Sequence, residues 1–176
     1  MGLHEWLEEL VSLHERAKEN SLTDEGLAEY QRLLDEVGSV ILAMQRLTLR
    51  TTEAPRRSVR VRREMEMGLV ISGGFPLRAR TLDLSAGGCA VLLGYAPVSG
   101  EPVQATLQLP QGVVLEVHGA VGAVKRERSD FRVSIVFGML PQEVRAQLEF
   151  LVFDTVLTAL RFEREPARGA GVPRSR

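Results

Sequence analysis

The stretch VQATLQLPQGVVLEVH, residues 103–118, decides what kind of fold this chain builds. Val103, Ala105, Leu107 and Leu109 alternate with polar or small residues, and Val113, Leu115 and Val117 do the same after a Pro-Gln-Gly break. A two-residue period puts successive side chains on opposite faces of a strand, so each run has one face to bury. Pro and Gly at the break mark a turn.

The same period continues in Phe131, Val133, Ile135 and Phe137. Turn signals recur at SGGFP (72–76), SAGG (85–88), PVSGEP (97–102), PQG (110–112) and RERSD (126–130), spaced as an antiparallel meander or Greek key requires. About six strands across residues 58–138 suit a small closed barrel, because closure removes exposed strand edges.

Upstream of residue 50 the period is helical. Leu3, Trp6, Leu7, Leu10, Val11, His14 and Ala17 share one face of a helix running to about Lys18. ENSLTDEG (19–26) interrupts it, with Thr23 as N-cap of a second helix and Asp24 and Glu25 in its first turn, where the helix dipole favours acids. Leu27, Tyr30, Leu34, Val37, Ile41 and Met44 then step by three and four, widened by Leu33, Val40 and Leu47. Such a seam packs on another helix. Downstream of the strands, LPQEVRAQLEFLVFDTVLTALRF (140–162) returns to helical spacing, expected to lie across the barrel or on the hairpin.

The expected class is therefore mainly β with flanking helices (α+β). The parts are an N-terminal helical hairpin (1–50), a linker (51–58), a six-stranded antiparallel barrel (59–140), a C-terminal helix (141–163) and a Gly-, Pro- and Arg-rich disordered tail (164–176).

Composition narrows the function. No run reaches the roughly 18 apolar residues of a bilayer span, and the Met-Gly-Leu-His-Glu start lacks a leader pattern, so a cytoplasmic protein is expected. The lone Cys89 reads as a small buried residue, and His4, His14 and His118 have no ligand cluster around them, so neither metal nor cofactor is expected. Ser85 has no nucleophile elbow and no histidine near it in sequence, which leaves no catalytic constellation. Charge is unevenly distributed. Residues 1–55 hold 5 basic and 11 acidic side chains, whereas residues 56–140 hold 11 basic and 7 acidic, so an anionic partner belongs on the middle of the chain.

Two stretches carry that chemistry. RRSVR (56–60) opens a run of five arginines in eight residues, with no lysine, and contains Arg-x-x-x-Arg from Arg56 to Arg60. A guanidinium grips phosphate bidentately and reads the O6/N7 edge of guanine, which lysine does only in part. The second stretch, DLSAGG (83–88), is Asp-x-Ser-x-x-Gly at a strand end. Asp83 can accept from guanine N1 and N2, Ser85 can donate, and Gly88 offers backbone without a Cβ. Each stretch also has a plain reading, as a solvated basic strand entry and as a tight turn.

In this order and spacing the two stretches resemble the PilZ domain family of cyclic di-GMP receptors, over about residues 55–150. The resemblance implies that Arg56 and Arg60 wrap the ligand, that Arg57 supports a phosphate, and that Asp83, Ser85 and Gly88 form the barrel surface under a guanine. It implies no enzyme activity, and roles in bacterial motility, attachment or polysaccharide export. It does not reach the hairpin, whose apolar stripe is open to three uses: docking on the barrel, homodimerisation, or binding an unnamed protein partner that reads ligand occupancy. Two alternatives remain, a scaffold that binds no nucleotide and a nucleic-acid-binding barrel; the aromatic content of 5% argues against the latter.

Overall fold

The computed structural model describes residues 3–47 and 57–162. Residues 51–56 of the expected linker, Arg56 among them, lie outside the described residues, as does the tail.

Helix α1 (Leu3–Lys18) and helix α2 (Asp24–Leu47) form the hairpin. The Thr23 hydroxyl accepts from the Gly26 N–H at 3.2 Å, which is the cap expected from the sequence. Seven strands follow: β1 (Val61–Arg62), β2 (Glu66–Ile71), β3 (Leu77–Ser85), β4 (Gly88–Leu93), β5 (Pro102–Gln108), β6 (Val114–Glu127) and β7 (Asp130–Phe137). Every pairing is antiparallel. Running β2–β3–β4–β7–β6–β5 and back to β2, six of them close into the expected barrel. The two-residue β1 shares with β2 the same edge of β3, so it prolongs that side without adding a stave.

Alternate residues fill the barrel, among them Met67, Leu69, Leu107, Val117, Val133 and Ile135, all buried. Val113, expected on the inner face, instead stands half exposed where the Leu109 N–H bonds its carbonyl across the Pro110–Gly112 turn. The RERSD signal is mostly strand; only Arg128 and Ser129 lie between β6 and β7, with Arg128 at φ 56°.

Helix α3 (Gln142–Phe162) both plugs the barrel and joins the hairpin. Leu148 and Leu151 enter the barrel core, while Phe153 and Leu157 pack with Leu10, Leu13, Tyr30, Leu33, Leu34 and Val37. Val152 closes over Val59 and Val61 of the arginine segment. One helix is thus shared between two cores. The α2 stripe is buried only in its middle: Leu27, Val40, Met44 and Leu47 are exposed. At 1.5 Å per residue α1 is about 24 Å long and α2 about 36 Å, so the C-terminal end of α2, with Met44 and Leu47, outruns its partner.

Candidate functional site

The arginine segment and the Asp-x-Ser-x-x-Gly stretch meet on paired strands, β1 and β3. β1 pairs Val61 with Leu84 and Arg62 with Asp83, which lays the tail of the arginine run along the end of β3. Further back, Ser58 lies over the β3–β4 turn, where a Cβ on Gly87 would come 3.3 Å from the Ser58 hydroxyl. Val59 and Val61 are buried and act as the anchors of this segment. Arg57 is exposed.

A register shift between Thr81 and Asp83 re-aims the strand just before the motif, as β-bulges do. Asp83 then lies on the face opposite the core residue Leu84, yet it is only 7% exposed because arginines cover it. Arg132 on β7 donates to its Oδ2 at 2.5 Å, and the Arg60 Nε lies 3.6 Å from Oδ1. Oδ1 is buried and accepts no hydrogen bond among the described residues. A buried carboxylate oxygen left in that state is costly and has capacity for a donor.

Ser85 and Gly88 have different duties. The Ser85 hydroxyl donates to the Gly88 carbonyl at 3.0 Å and accepts from the Gly87 N–H at 3.3 Å, closing the β3–β4 hairpin. A Cβ on Gly88 would stand 2.2 Å from the Ile135 carbonyl oxygen, so the missing side chain gives the backbone of β7 room to approach.

The segment after Arg56 is also less free than its linker setting suggests. The Gln45 side chain on α2 donates to the Arg60 carbonyl at 2.7 Å and accepts from the Arg60 N–H at 3.2 Å, a two-point clamp on the motif backbone. Arg63, in the arginine run but outside the Arg-x-x-x-Arg spacing, donates to the Thr155 hydroxyl at 2.7 Å and lies 3.6 Å from the Asp154 carboxylate on α3.

Asp154 gathers three cations or donors. Lys18 stands 2.6 Å away and His14 Nε2 3.2 Å. Burial pushes the Asp154 carboxyl up, but hydrogen bonds from Lys18 and His14 more than offset this and hold it below its ordinary range. His14 is buried, stacked on Phe150 with centroids 4.6 Å apart, and bonded through Nδ1 to the Tyr30 hydroxyl at 2.6 Å. Burial keeps it below its ordinary 6.5, against the pull of Asp154, so the neutral ring donates from Nε2 and accepts from Tyr30. Burial likewise raises the Tyr30 hydroxyl, which stays protonated to donate. Cys89 is buried at the barrel centre with its thiol pushed up to about 12 by burial, and has no nucleophilic character.

Sequence reasoning missed Arg132, Gln45 and Asp154. Arg132 reads only as a polar position in FRVSIVF, and nothing local marks it as the partner of an aspartate 49 residues away. Among the described residues there is no cluster of three His, Cys, Asp or Glu able to hold a metal, and no helix is long and apolar enough to cross a membrane.

The description of the PilZ domain family matches residues 54–154, more than half of the chain and both motifs. The chain belongs to the PilZ domain family. Similar PilZ folds among solved structures include the PilZ domain of YcgR from Escherichia coli with c-di-GMP: 21% identity, TM-score 0.53, covering 64% of this chain and all of that one. The K. pneumonia MrkH–c-di-GMP complex matches at 20% identity and TM-score 0.55, over 62% of this chain and 56% of that one. The Bacillus subtilis inhibitor of motility MotI matches at 18% identity and TM-score 0.53, over 62% and 53%. At these identities the likeness is one of fold, and the match spans about half of the MotI and MrkH chains. No curated protein matches the chain. Helices α1 and α2 lie outside the PilZ match.

Proposed function

We propose that this PilZ protein is a non-enzymatic, cytoplasmic receptor for cyclic di-GMP. Arg56, Arg57 and Arg60 contact phosphates and guanine edges, and Asp83 accepts from a guanine. Ser85 and Gly88 build the hairpin that presents Asp83 to the ligand. The observation that carries this reading is the pairing of Arg62 with Asp83, which sets the arginine run beside the second motif, where the buried Asp83 Oδ1 accepts no hydrogen bond among the described residues. Guanine N1 and N2 supply the donors that such an oxygen lacks.

Ligand occupancy reaches the hairpin by two routes. Gln45 holds the Arg60 backbone from α2, and Arg63 holds Asp154, itself bound to His14 and Lys18 of α1. A ligand that repositions Arg60 changes the first contact directly, and a protein partner reads the hairpin's position. Motility, attachment and polysaccharide export are the processes that fit such a receptor.

One observation favours the alternative of a scaffold that binds no nucleotide: Asp83 already has Arg132, and Ser85 is satisfied within its own turn. Calorimetric titration decides between the two. Wild type is expected to bind cyclic di-GMP and not cyclic di-AMP, and Arg56→Ala/Arg60→Ala to lose binding. A folded wild type that takes up no cyclic di-GMP would establish the scaffold.

A further inference from the structure

A cleft of about 500 Å³ opens between α2, α3, the start of the arginine segment and the β3–β4 turn. Arg57, Ser58 and Ala86 line it, so it is continuous with the site built from the two motifs. Its volume falls in the range of small-ligand pockets. The outer walls come from the helices: Asp35 and Ser39 on α2, Arg145 and Glu149 on α3.

The charges on these walls are arranged in an unusual way for a salt-bridged seam. Arg57, Arg145 and Glu149 form no ion pair within 4.0 Å among the described residues. Asp35 receives only the Gln31 side-chain amide, at 3.1 Å. Glu149 is half buried; its carboxyl is raised chiefly by that burial, lowered by Arg145 and raised again by Asp35. Asp35 of α2, Arg145 and Glu149 of α3 and Arg57 of the arginine segment thus line one cleft with no ion pair within 4.0 Å among the described residues. A guanine fits this pattern, because its N1–H and N2–H groups donate to a carboxylate while O6 and N7 accept from arginine. Adenine offers no such pair of donors on its Watson–Crick edge.

We propose that the cleft takes one guanine of the bound cyclic dinucleotide, so that the helical hairpin is a third wall of the ligand site, with Asp35 and Glu149 reading the base. This rests on the receptor reading above and adds to it a direct contact between ligand and hairpin. Occupancy then pulls α2 and α3 onto the ligand, and the hairpin senses the nucleotide without a relay.

The test is titration of the full chain with cyclic di-GMP and cyclic di-AMP in wild type, Asp83→Ala, Asp35→Ala/Glu149→Ala and Ser39→Trp. General electrostatics and the proposal give opposite signs for the double variant: removing two acids beside arginines strengthens the binding of any anion held only by the arginine segment. The proposal expects cyclic di-GMP binding to weaken about tenfold or more, as for lost charge-assisted hydrogen bonds, with discrimination against cyclic di-AMP narrowing. Ser39 is exposed on α2, so its tryptophan fills the cleft from a position that does not burden the fold, and is expected to weaken binding as well. If Asp83→Ala loses binding while the double variant and Ser39→Trp bind as tightly as wild type or more so, the cleft proposal falls and the receptor reading stands. If folded wild type binds nothing, both fall.

Discussion

Two aspartates flank the arginine run and are treated in opposite ways. Asp83, on β3, has one oxygen held by Arg132 and the other buried with no hydrogen bond among the described residues. Asp154, on α3, has Lys18 and His14 on one oxygen and Arg63 at the other. The difference separates a place with unused acceptor capacity from one where the chain completes itself. Arg60 and Arg63, three residues apart, go to different aspartates, so a single basic run carries both a candidate ligand contact and a structural strut.

The largest effects are expected where the structure leaves no slack. Gly88→Ala drives a Cβ into the Ile135 carbonyl, forcing β4 and β7 apart at a buried register position. A loss of about 3 kcal/mol or more is expected in urea unfolding, with cyclic di-GMP binding falling only to the extent that the barrel itself loosens. Persistence of wild-type stability with loss of ligand would make Gly88 a ligand residue after all.

Asp154→Ala comes next. It leaves the buried His14 Nε2–H without its acceptor, Arg63 without its counter-charge and Lys18 with only Glu15, at 3.5 Å. Since Asp154 is itself 21% exposed and the two cations reach solvent, about 2 kcal/mol is expected rather than the full loss for a buried pair. Hydrogen exchange is expected to localise the loosening to α1 and α2. Exchange that changes only in the barrel would contradict the strut assignment.

Acid sharpens the same contrast. The folded state holds His14 below its ordinary 6.5, so the unfolded chain takes up the proton first as pH falls. Stability is therefore full above about pH 6.5 and declines below it, and Asp154, also held low, adds to the decline at lower pH still. In His14→Gln the part of this slope just below pH 6.5 is expected to vanish, read from unfolding midpoints across pH. An unchanged slope would remove His14 from the junction's balance.

Asp83→Ala has the smallest expected effect on stability, below about 1 kcal/mol, because its arginine partners are 33% and 42% exposed and can turn to solvent. Its effect on ligand is the reverse, a loss of measurable cyclic di-GMP binding in calorimetry. A large destabilisation would place Asp83 with Asp154 among the struts and erase the distinction between them.

Much of this was legible in the chain because it is local. Alternation in 103–118 marks strands wherever they pair, and Thr23 caps α2 through an N–H three residues on. The spacing of the two motifs carries the PilZ resemblance without any knowledge of how they meet. The shortfall of the α2 stripe was not legible, since Val40 and Met44 have the same helical spacing as the buried Leu33 and Val37 and differ only in what tertiary packing leaves uncovered. Nor was the role of Gly88, which depends on a carbonyl 47 positions away on β7.

The amino-acid sequence by itself determined the elements, the barrel class and the two motifs, because period, capping and turn chemistry act within a few residues. Only the tertiary structure decided which arginine meets which aspartate, that Gln45 of the hairpin clamps Arg60, and that α3 serves two cores at once. Those are long-range choices. They are set by which surfaces remain to be covered once the barrel closes, and no local pattern encodes them.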